Sequence, residues 1–323
     1  MVIDKSNYLG VLENFPKQCR EAMLLPKGEV IKGEATNILV CGMGGSAIGG
    51  DLLKSYLAST EIPVFVNRDY NIPNFVDEHT LVFAVSYSGN TEETISAFKK
   101  AKERNANVWA VTTGGKLAGL CNKKILIPSG YQPRAAIGYL FFPILGLLNN
   151  SGMVNVSNSE LNEMLALLKD TESFKEKAQE LAKKIRGKTP IIYSSGLFEP
   201  VAYRWRTQIN ENAKLPAMHH VFPEMNHNEI NAFMSMSREK FAVIIIRDEG
   251  DDERVKRRMN ITRDIIGRTV DVEEVHTKGS SLLARMFYAI YLGDFTSYYL
   301  AIDNRVDPTP VGVIEHLKKE LGR

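Results

Sequence analysis

Short apolar runs alternate with segments of helical periodicity along the first half of the chain. The runs are rich in β-branched and aromatic residues, which is typical of buried strands. They lie at Asn37–Cys41, Pro63–Val66, Leu81–Val85, Val108–Thr112 and Lys124–Ile127. Residues 1–34 precede them and carry scattered apolar positions that predict helical turns. Strands that alternate with helices predict a parallel sheet with helices on both faces.

The second half of the chain repeats this order. Apolar runs at Pro190–Tyr193, Phe241–Ile246 and Val270–Val275 are each followed by a polar turn. The pattern therefore predicts a duplicated α/β fold with two doubly wound parallel-sheet subdomains, each an α/β/α sandwich.

The predicted domain boundary lies in a segment rich in Asn, Ser and Gly at residues 149–159. We therefore expect an N-terminal domain at 1–153 and a C-terminal domain at 154–323. The charged segment Glu160–Arg186 has an apolar stripe and predicts amphipathic helical structure that carries the chain into the second domain.

Hydroxyl side chains crowd the turn after the predicted strand Leu81–Val85, where Ser86, Ser88 and Thr91 precede a helical pattern. Backbone N–H groups at a helix start are unpaired and lie at the positive end of the helix dipole, so they attract anions. Small hydroxyls add hydrogen-bond donors without charge, which favours a phosphate ester. Ordinary helix capping by Ser or Thr is the alternative, although one cap needs one such residue.

A glycine-rich turn follows the first predicted strand at residues 42–50. Its spacing matches a dinucleotide fingerprint, with Asp69 after the next strand. Asp69 comes later than that fingerprint expects, and a dinucleotide would not explain the hydroxyl-rich turn. Two polar turns at one sheet edge instead predict a single ligand held between them, with Gly45 and Ser46 on one side. The corresponding turn of the second half, residues 248–252, is acidic, so we expect one phosphate site, in the first half.

Groups that could take part in catalysis lie elsewhere in the chain. Arg134 precedes a long neutral run and is either a surface residue or a stabiliser of negative charge on a substrate oxygen. Glu211 and His227 supply the carboxylate and imidazole that proton transfer beside a carbonyl requires. By residue type alone, both are also ordinary surface or structural residues. The histidines and acids near His227 lack metal-binding spacing, so we expect no metal.

The overall composition excludes several classes of partner. The net charge of +2 combines 40 basic and 38 acidic residues, which leaves no positive excess for nucleic acid. Three cysteines without metal spacing indicate a reduced, cytoplasmic protein. The uncharged run Ala135–Asn150 is shorter than the ~20 residues of a membrane span, so it predicts a buried helix. The first ten residues lack the apolar core of a secretion signal.

The motifs together resemble those of the archaeal-type bifunctional phosphoglucose/phosphomannose isomerases, which belong to the sugar isomerase (SIS) domain superfamily. The matching segments are residues 42–51, 86–94, 133–141, 208–214, 225–230 and 307–319. The resemblance implies two SIS subdomains, a homodimer, and interconversion of glucose 6-phosphate or mannose 6-phosphate with fructose 6-phosphate, as in glycolysis and gluconeogenesis. It implies no cofactor and no metal.

The resemblance also implies roles for individual residues. The phosphate-binding positions match Gly45, Ser46, Ser86, Ser88 and Thr91. Arg134 matches the arginine that stabilises the enediolate, and Glu211 matches the base that moves a proton between C1 and C2.

The remaining implied roles concern ring opening and substrate range. His227 matches a histidine of ring opening, which in this superfamily tends to come from the partner subunit. Lys318 in the C-terminal helix matches a ring-opening lysine, and the adjacent Lys319 is the alternative. Thr309 matches a threonine that leaves room for both C2 epimers.

Two other functions compete with the isomerase. SIS domains also occur in transcription regulators, so a non-catalytic sugar-phosphate sensor is the main alternative. Such regulators carry a helix-turn-helix segment, for which the N-terminal stretch leaves little room. A nicotinamide-linked oxidoreductase is the third hypothesis, based on the glycine fingerprint.

Overall fold

The computed structural model describes residues 2–322 of the chain, which form two compact units. The N-terminal unit comprises Asn14–Lys169 together with Ser281–Ala284. The C-terminal unit comprises Asp170–Ser280, the residues from Arg285 onward and the residues up to Glu13. The domain limits at residues 153 and 154 stay a prediction.

The N-terminal unit contains a parallel sheet whose five strands, among the described residues, have the order β2-β1-β3-β4-β5. The strands are β1 Asn37–Cys41, β2 Val64–Asn67, β3 Thr80–Val85, β4 Asn107–Thr112 and β5 Lys124–Leu126. Every residue of the central β3 is buried, because helices cover both faces of the sheet. The predicted strands and their parallel arrangement are confirmed.

Helices alternate with these strands along the chain. The helices are α1 Tyr8–Glu13, α2 Phe15–Leu24, α3 Gly45–Tyr56, α4 Glu92–Glu103, α5 Gly115–Leu120, α6 Ile137–Asn150 and α7 Asn158–Leu168. The predicted buried helix is α6, whose residues are buried from Ile137 to Leu148. Among residues 2–322, no helix combines the length and apolar character that crossing a membrane requires.

The C-terminal unit repeats the sheet with the strand order β7-β6-β8-β9 among the described residues. Its strands are β6 Thr189–Ser195, β7 Met218–Phe222, β8 Phe241–Arg247 and β9 Asp271–His276. This order matches β2-β1-β3-β4, so the predicted duplication is confirmed. The sequence did not predict β7, an edge strand in which only Phe222 is buried, because an edge strand needs no apolar run.

The amphipathic segment Glu160–Arg186 forms two helices rather than one. Helix α7 ends at Leu168 and α8 (Thr171–Ile185) begins after Asp170, whose carboxylate accepts a hydrogen bond from the backbone N–H of Ser173 (3.3 Å). The apolar stripe continues across the break, which explains why the pattern did not reveal it. The other helices are α9 Glu199–Gln208, α10 Glu253–Ile266, α11 Leu282–Asp303 and α12 Gly312–Leu321.

Two glycines of the turn region allow α3 to lie close to its neighbours. A Cβ atom at Gly49 would lie 2.7 Å from the carbonyl oxygen of Leu140 in α6. A Cβ atom at Gly50 would lie 2.8 Å from the Cβ of Val40 in β1. These two glycines therefore allow α3 to pack closely against α6 and β1.

We predict that Gly49→Ala destabilises the protein by ~1–3 kcal/mol, because the added methyl group overpacks the α3–α6 contact. Gly119→Ala is the matched control, since it lies in α5 with no atom within 4 Å of its Cβ position. Alanine there should stabilise the helix by about 0.5–1 kcal/mol. Urea denaturation followed by circular dichroism measures both, and equal stability of the two variants would contradict the packing role.

Candidate active site

Two polar turns lie at the same edge of the N-terminal sheet. Strands β1 and β3 are parallel neighbours with Cys41 opposite Ala84, so the turns that follow them leave the sheet side by side. Strand β2 lies on one side of β1 and β3 on the other, so the strand order reverses here. In open α/β sheets, ligands bind outside the carboxyl ends of the strands at such a switch point.

The glycine turn brings the start of α3 against the segment that contains Arg134. Gly44 precedes α3 with φ of +52°, in the left-handed region that glycine adopts readily. A Cβ atom at Gly45 would lie 3.0 Å from the carbonyl oxygen of Pro133 and 3.4 Å from the Cα of Arg134. Ser46 is buried in the first turn of α3. Any larger residue at position 45 would push these two segments apart.

The hydroxyl groups of the second turn bond to each other across it. The Ser86 Oγ lies 2.9 Å from the Thr91 Oγ1 and accepts a hydrogen bond from the N–H of Gly89 (3.0 Å). Thr91 is the N-cap residue of α4, yet its side chain makes no capping bond to that helix. The exposed Ser88 accepts a hydrogen bond from the N–H of Asn90 (3.2 Å). Ordinary capping by Thr91 therefore does not explain the hydroxyl cluster.

Arg134 lies in a short 3-10 turn that precedes α6 and is only 3% exposed. Gln18 of α2 spans this turn: its Nε2 donates to the carbonyl of Ala135 (3.1 Å), and its Oε1 accepts from the N–H of Gly138 (2.8 Å). The buried glutamine thus fixes the backbone on the C-terminal side of Arg134. The N-terminal unit brings Arg134 to the same sheet edge as Gly45.

Glu211 lies on a π-helical turn, Ile209–Ala213, directly after α9 in the C-terminal unit. Such turns are rare and are frequently found at functional sites. The Nζ of Lys214 donates to the carbonyl oxygen of Glu211 (2.5 Å) and to that of Pro308 (3.2 Å). This bridge brings Thr309, the next residue, to the same part of the unit as Glu211.

His227 is exposed at the end of a 3-10 turn that follows β7. The next residues hold this turn in place: the hydroxyl of the buried Tyr193 donates to Glu229 (2.9 Å), and the Asn228 amide donates to Glu224 (2.8 Å). Burial raises the pKa of Tyr193 and the charge of Glu229 raises it further, so the tyrosine stays a neutral donor.

Lys318 and Lys319 are both exposed on α12. No residue described in α12 is buried, so the structure does not distinguish between the two lysines.

Comparison with known proteins shows the family to which this chain is related. The family described as "Bacterial phospho-glucose isomerase C-terminal SIS domain" matches residues 174–321, and the SIS domain family matches residues 33–139. The bifunctional phosphoglucose/phosphomannose isomerase of Caldicellulosiruptor bescii is 44% identical over 328 residues, covering 95% of this chain and 97% of that protein. The Thermoplasma volcanium protein of the same name is 41% identical over 292 residues, covering 90% and 92%.

The chain belongs to the bifunctional phosphoglucose/phosphomannose isomerase family. Similarity to solved structures extends the fold assignment beyond these isomerases. The C-terminal domain of glucosamine-fructose-6-phosphate aminotransferase from Francisella tularensis matches with a TM-score of 0.73 and 16% identity, covering 94% of this chain and 97% of that one. At this identity the likeness shows the shared SIS fold alone.

The sequence alone assigned no role to Gln18 or Lys214, which hold the segments that contain Arg134 and Glu211. Gln18 left a signal, since it falls among the buried positions Phe15, Cys19 and Ala22 of α2, where a polar residue is unusual. Lys214 ends the matching segment 208–214, but a lysine at the end of a helix is ordinary, so residue type gave it no role.

The acidic turn of the C-terminal unit is occupied by its own ion pair. The Asp248 carboxylate accepts hydrogen bonds from the Nε of Arg285 (2.8 Å) and the hydroxyl of Thr277 (2.6 Å). Within residues 2–322, no three His, Cys, Asp or Glu side chains are grouped so that they could hold a metal ion.

His219 is a half-buried histidine on β7. Its ring lies 5.2 Å from that of Tyr203, on which Arg206 also stacks. Burial, followed by the charges of Arg206 and His220, lowers the pKa of His219 to about 4. The folded state therefore binds fewer protons than the unfolded state between about pH 4 and pH 6.5.

We predict that this histidine stabilises the fold above pH 6.5 and that its contribution is lost as the pH falls toward 4. His219→Gln should remove that part of the pH dependence of the free energy of unfolding. Because solvent screens a half-buried group, the part removed is at most about 1 kcal/mol between pH 7 and pH 5. Thermal denaturation of both proteins at the two pH values measures the difference. Parallel pH profiles would show that His219 titrates normally.

Proposed function

We propose that this protein interconverts glucose 6-phosphate and mannose 6-phosphate with fructose 6-phosphate. The observation that carries the proposal is the pair of polar turns at the sheet switch point, in a chain 44% identical to a named bifunctional isomerase. A coupled assay of the purified protein with each aldose phosphate, in the presence of EDTA, tests it. Absence of turnover with both sugars would overturn it.

The proposed phosphate site comprises Gly45, Ser46, Ser86, Ser88 and Thr91. The hydroxyl pair Ser86–Thr91 leaves the first N–H groups of α4 without a side-chain cap, which supports binding of an external anion there. The phosphate takes no part in the chemistry. Its binding orients the reacting carbons, an entropic effect that can reach ~7–11 kcal/mol in well-aligned cases.

The proposed base is Glu211, whose carboxylate takes the proton from C2 of the open-chain aldose. The C2–H bond breaks, its electrons form the C1=C2 bond of the enediolate, and the negative charge goes to O1. The proton of the C2 hydroxyl then moves to O1, and Glu211 returns its proton to C1, which gives the ketose with its carbonyl at C2. Arg134 stabilises the negative charge on the oxygen, which exists only in transit. General base catalysis of this kind typically contributes ~10²–10⁴-fold.

The proposed ring-opening groups are His227 and Lys318, which move protons between the ring oxygen and the O1 hydroxyl. Rotation about C2–C3 of the planar intermediate lets Glu211 reach the proton of either epimer. Thr309 provides room for both orientations of the C2 hydroxyl.

We also propose a homodimer in which His227 of one subunit serves the site of the other. Two observations support it: His227 is exposed on its own unit, and α12 has exposed apolar residues, among them Val313 and Leu317. A ten-residue helix without packed residues is marginally stable in water, so an assembly that covers α12 is favoured. A cytoplasmic location and a place in glycolysis and gluconeogenesis stay predictions.

The alternative is a sugar-phosphate sensor that binds the same ligands without turning them over. The two functions share the phosphate site and differ in the need for a base. Binding of fructose 6-phosphate in calorimetry without any turnover would favour the sensor.

We predict that Glu211→Gln lowers kcat by ~10²–10⁴-fold because the amide cannot accept the proton. KM should change little, since the proposed phosphate site is intact. Glu273→Gln is the control: this β9 carboxylate pairs with Lys184 and has no proposed role. Wild-type kcat in Glu211→Gln would remove it as the base.

We predict that Ser86→Ala raises KM for fructose 6-phosphate by ~10–100-fold. The variant loses a hydrogen bond to the charged phosphate, and it also loses the contact between the Ser86 and Thr91 hydroxyls. Ser96→Ala is the matched control, because Ser96 lies on α4, the helix that follows the turn of Ser86, and its hydroxyl bonds to the Tyr70 carbonyl (2.8 Å). Steady-state kinetics measures both. An unchanged KM in Ser86→Ala would place the phosphate elsewhere.

A further inference from the structure

A row of polar side chains joins the turn that contains Glu211 to the long helix α11. Arg204, Gln208 and Asn212 follow one another at intervals of four residues along α9 and the π-helical turn. Their partners on α11 are Asp294 and Ser297. We call these five residues the polar ladder.

The contacts of the polar ladder are short and directional. Arg204 donates to Asp294 through Nε (3.0 Å to Oδ1) and a terminal nitrogen (2.7 Å to Oδ2). The Gln208 amide donates to the Asp294 Oδ1 (3.0 Å). The Asn212 amide donates to the Ser297 Oγ (2.9 Å), which itself donates to the carbonyl oxygen of Asp294 (2.7 Å).

All members of the polar ladder are buried, with Arg204 1% and Asp294 3% exposed. Burying an ion pair costs desolvation free energy, so apolar side chains of similar volume would often stabilise the contact at least as well. What a bidentate pair supplies instead is a fixed direction. Stability alone therefore does not explain a ladder of this kind.

The ladder ends at the residue beside Glu211. It crosses the change from α-helix to π-helix, and its last bond, from Asn212 to Ser297, holds that turn against α11. Gln208 holds the start of the turn through its bond to Asp294, and Lys214 holds its end through the carbonyl of Pro308. The backbone at Glu211 is thus fixed on both sides.

We propose that Asp294 and Ser297 are positioning residues for the Glu211 carboxylate, an inference that rests on the proposed role of Glu211 as the base. Neither residue need touch the substrate. Displacement of a catalytic base by about 1 Å can lower the rate ~10²-fold. A remote hydrogen bond that holds the base in place can therefore affect kcat.

The test uses Ser297→Ala, which removes the acceptor of Asn212. Thr296→Ala is the matched control: Thr296 is equally buried, and its hydroxyl bonds to the carbonyl of Leu292 in its own helix (2.8 Å). We expect kcat to fall by at least ~10-fold in Ser297→Ala with KM unchanged, and to stay at the wild-type value in Thr296→Ala. Melting temperatures of both proteins record the structural cost of each substitution.

A double variant separates positioning from general damage. If Ser297 acts through Glu211, adding Ser297→Ala to Glu211→Gln should lower kcat no further. Asp294→Asn, which weakens the Arg204–Asp294 ion pair, should likewise lower kcat when Glu211 is present and have no further effect in Glu211→Gln. Wild-type kcat in Ser297→Ala, or an equal loss with and without Glu211, would overturn the inference. If Glu211→Gln itself had wild-type kcat, the proposed function of Glu211 would fail first, so the two failures are distinguishable.

Discussion

The parallel pairing of β1 with β3 is the constraint on which the candidate site depends. Because the strands run side by side in the same direction, α3 and α4 both begin at one edge of the sheet. Each helix start contributes N–H groups and a positive dipole end, so an anion between them is favoured from both sides. The second sheet has the same topology, but at its edge Asp248 and Arg285 neutralise one another. The two sheets therefore share a topology and differ in the side chains at this edge.

Much of this arrangement is predictable from the sequence because its signals are local. Buried parallel strands are continuous apolar runs, and hydroxyl and glycine turns are short motifs, so the N-terminal sheet and the edge that carries Ser86 and Gly45 follow from pattern alone. The roles of Glu211 and His227 do not follow from pattern. They came from the resemblance, and they remain proposals that the geometry of each unit accommodates.

What the sequence did not reveal depends on tertiary packing. Strand β7 lies at an edge and needs little apolar character, and the break at Asp170 leaves the hydrophobic stripe intact. The hydrogen bonds of Gln18 with Gly138 and of Asp294 with Gln208 join residues more than 80 positions apart. A short stretch of sequence does not reveal such pairs. Helix propensity also gives no warning of the π-helical turn at Glu211, because the turn is held by contacts with α11.

The most direct test of proton transfer is the reaction of fructose 6-phosphate with the wild-type protein in deuterated water. An enediolate intermediate predicts deuterium at C2 of both the glucose 6-phosphate and the mannose 6-phosphate formed, as read by proton NMR. Glu211→Gln should lose this incorporation together with turnover, and deuterium incorporation at the wild-type rate in Glu211→Gln would contradict the central claim about Glu211.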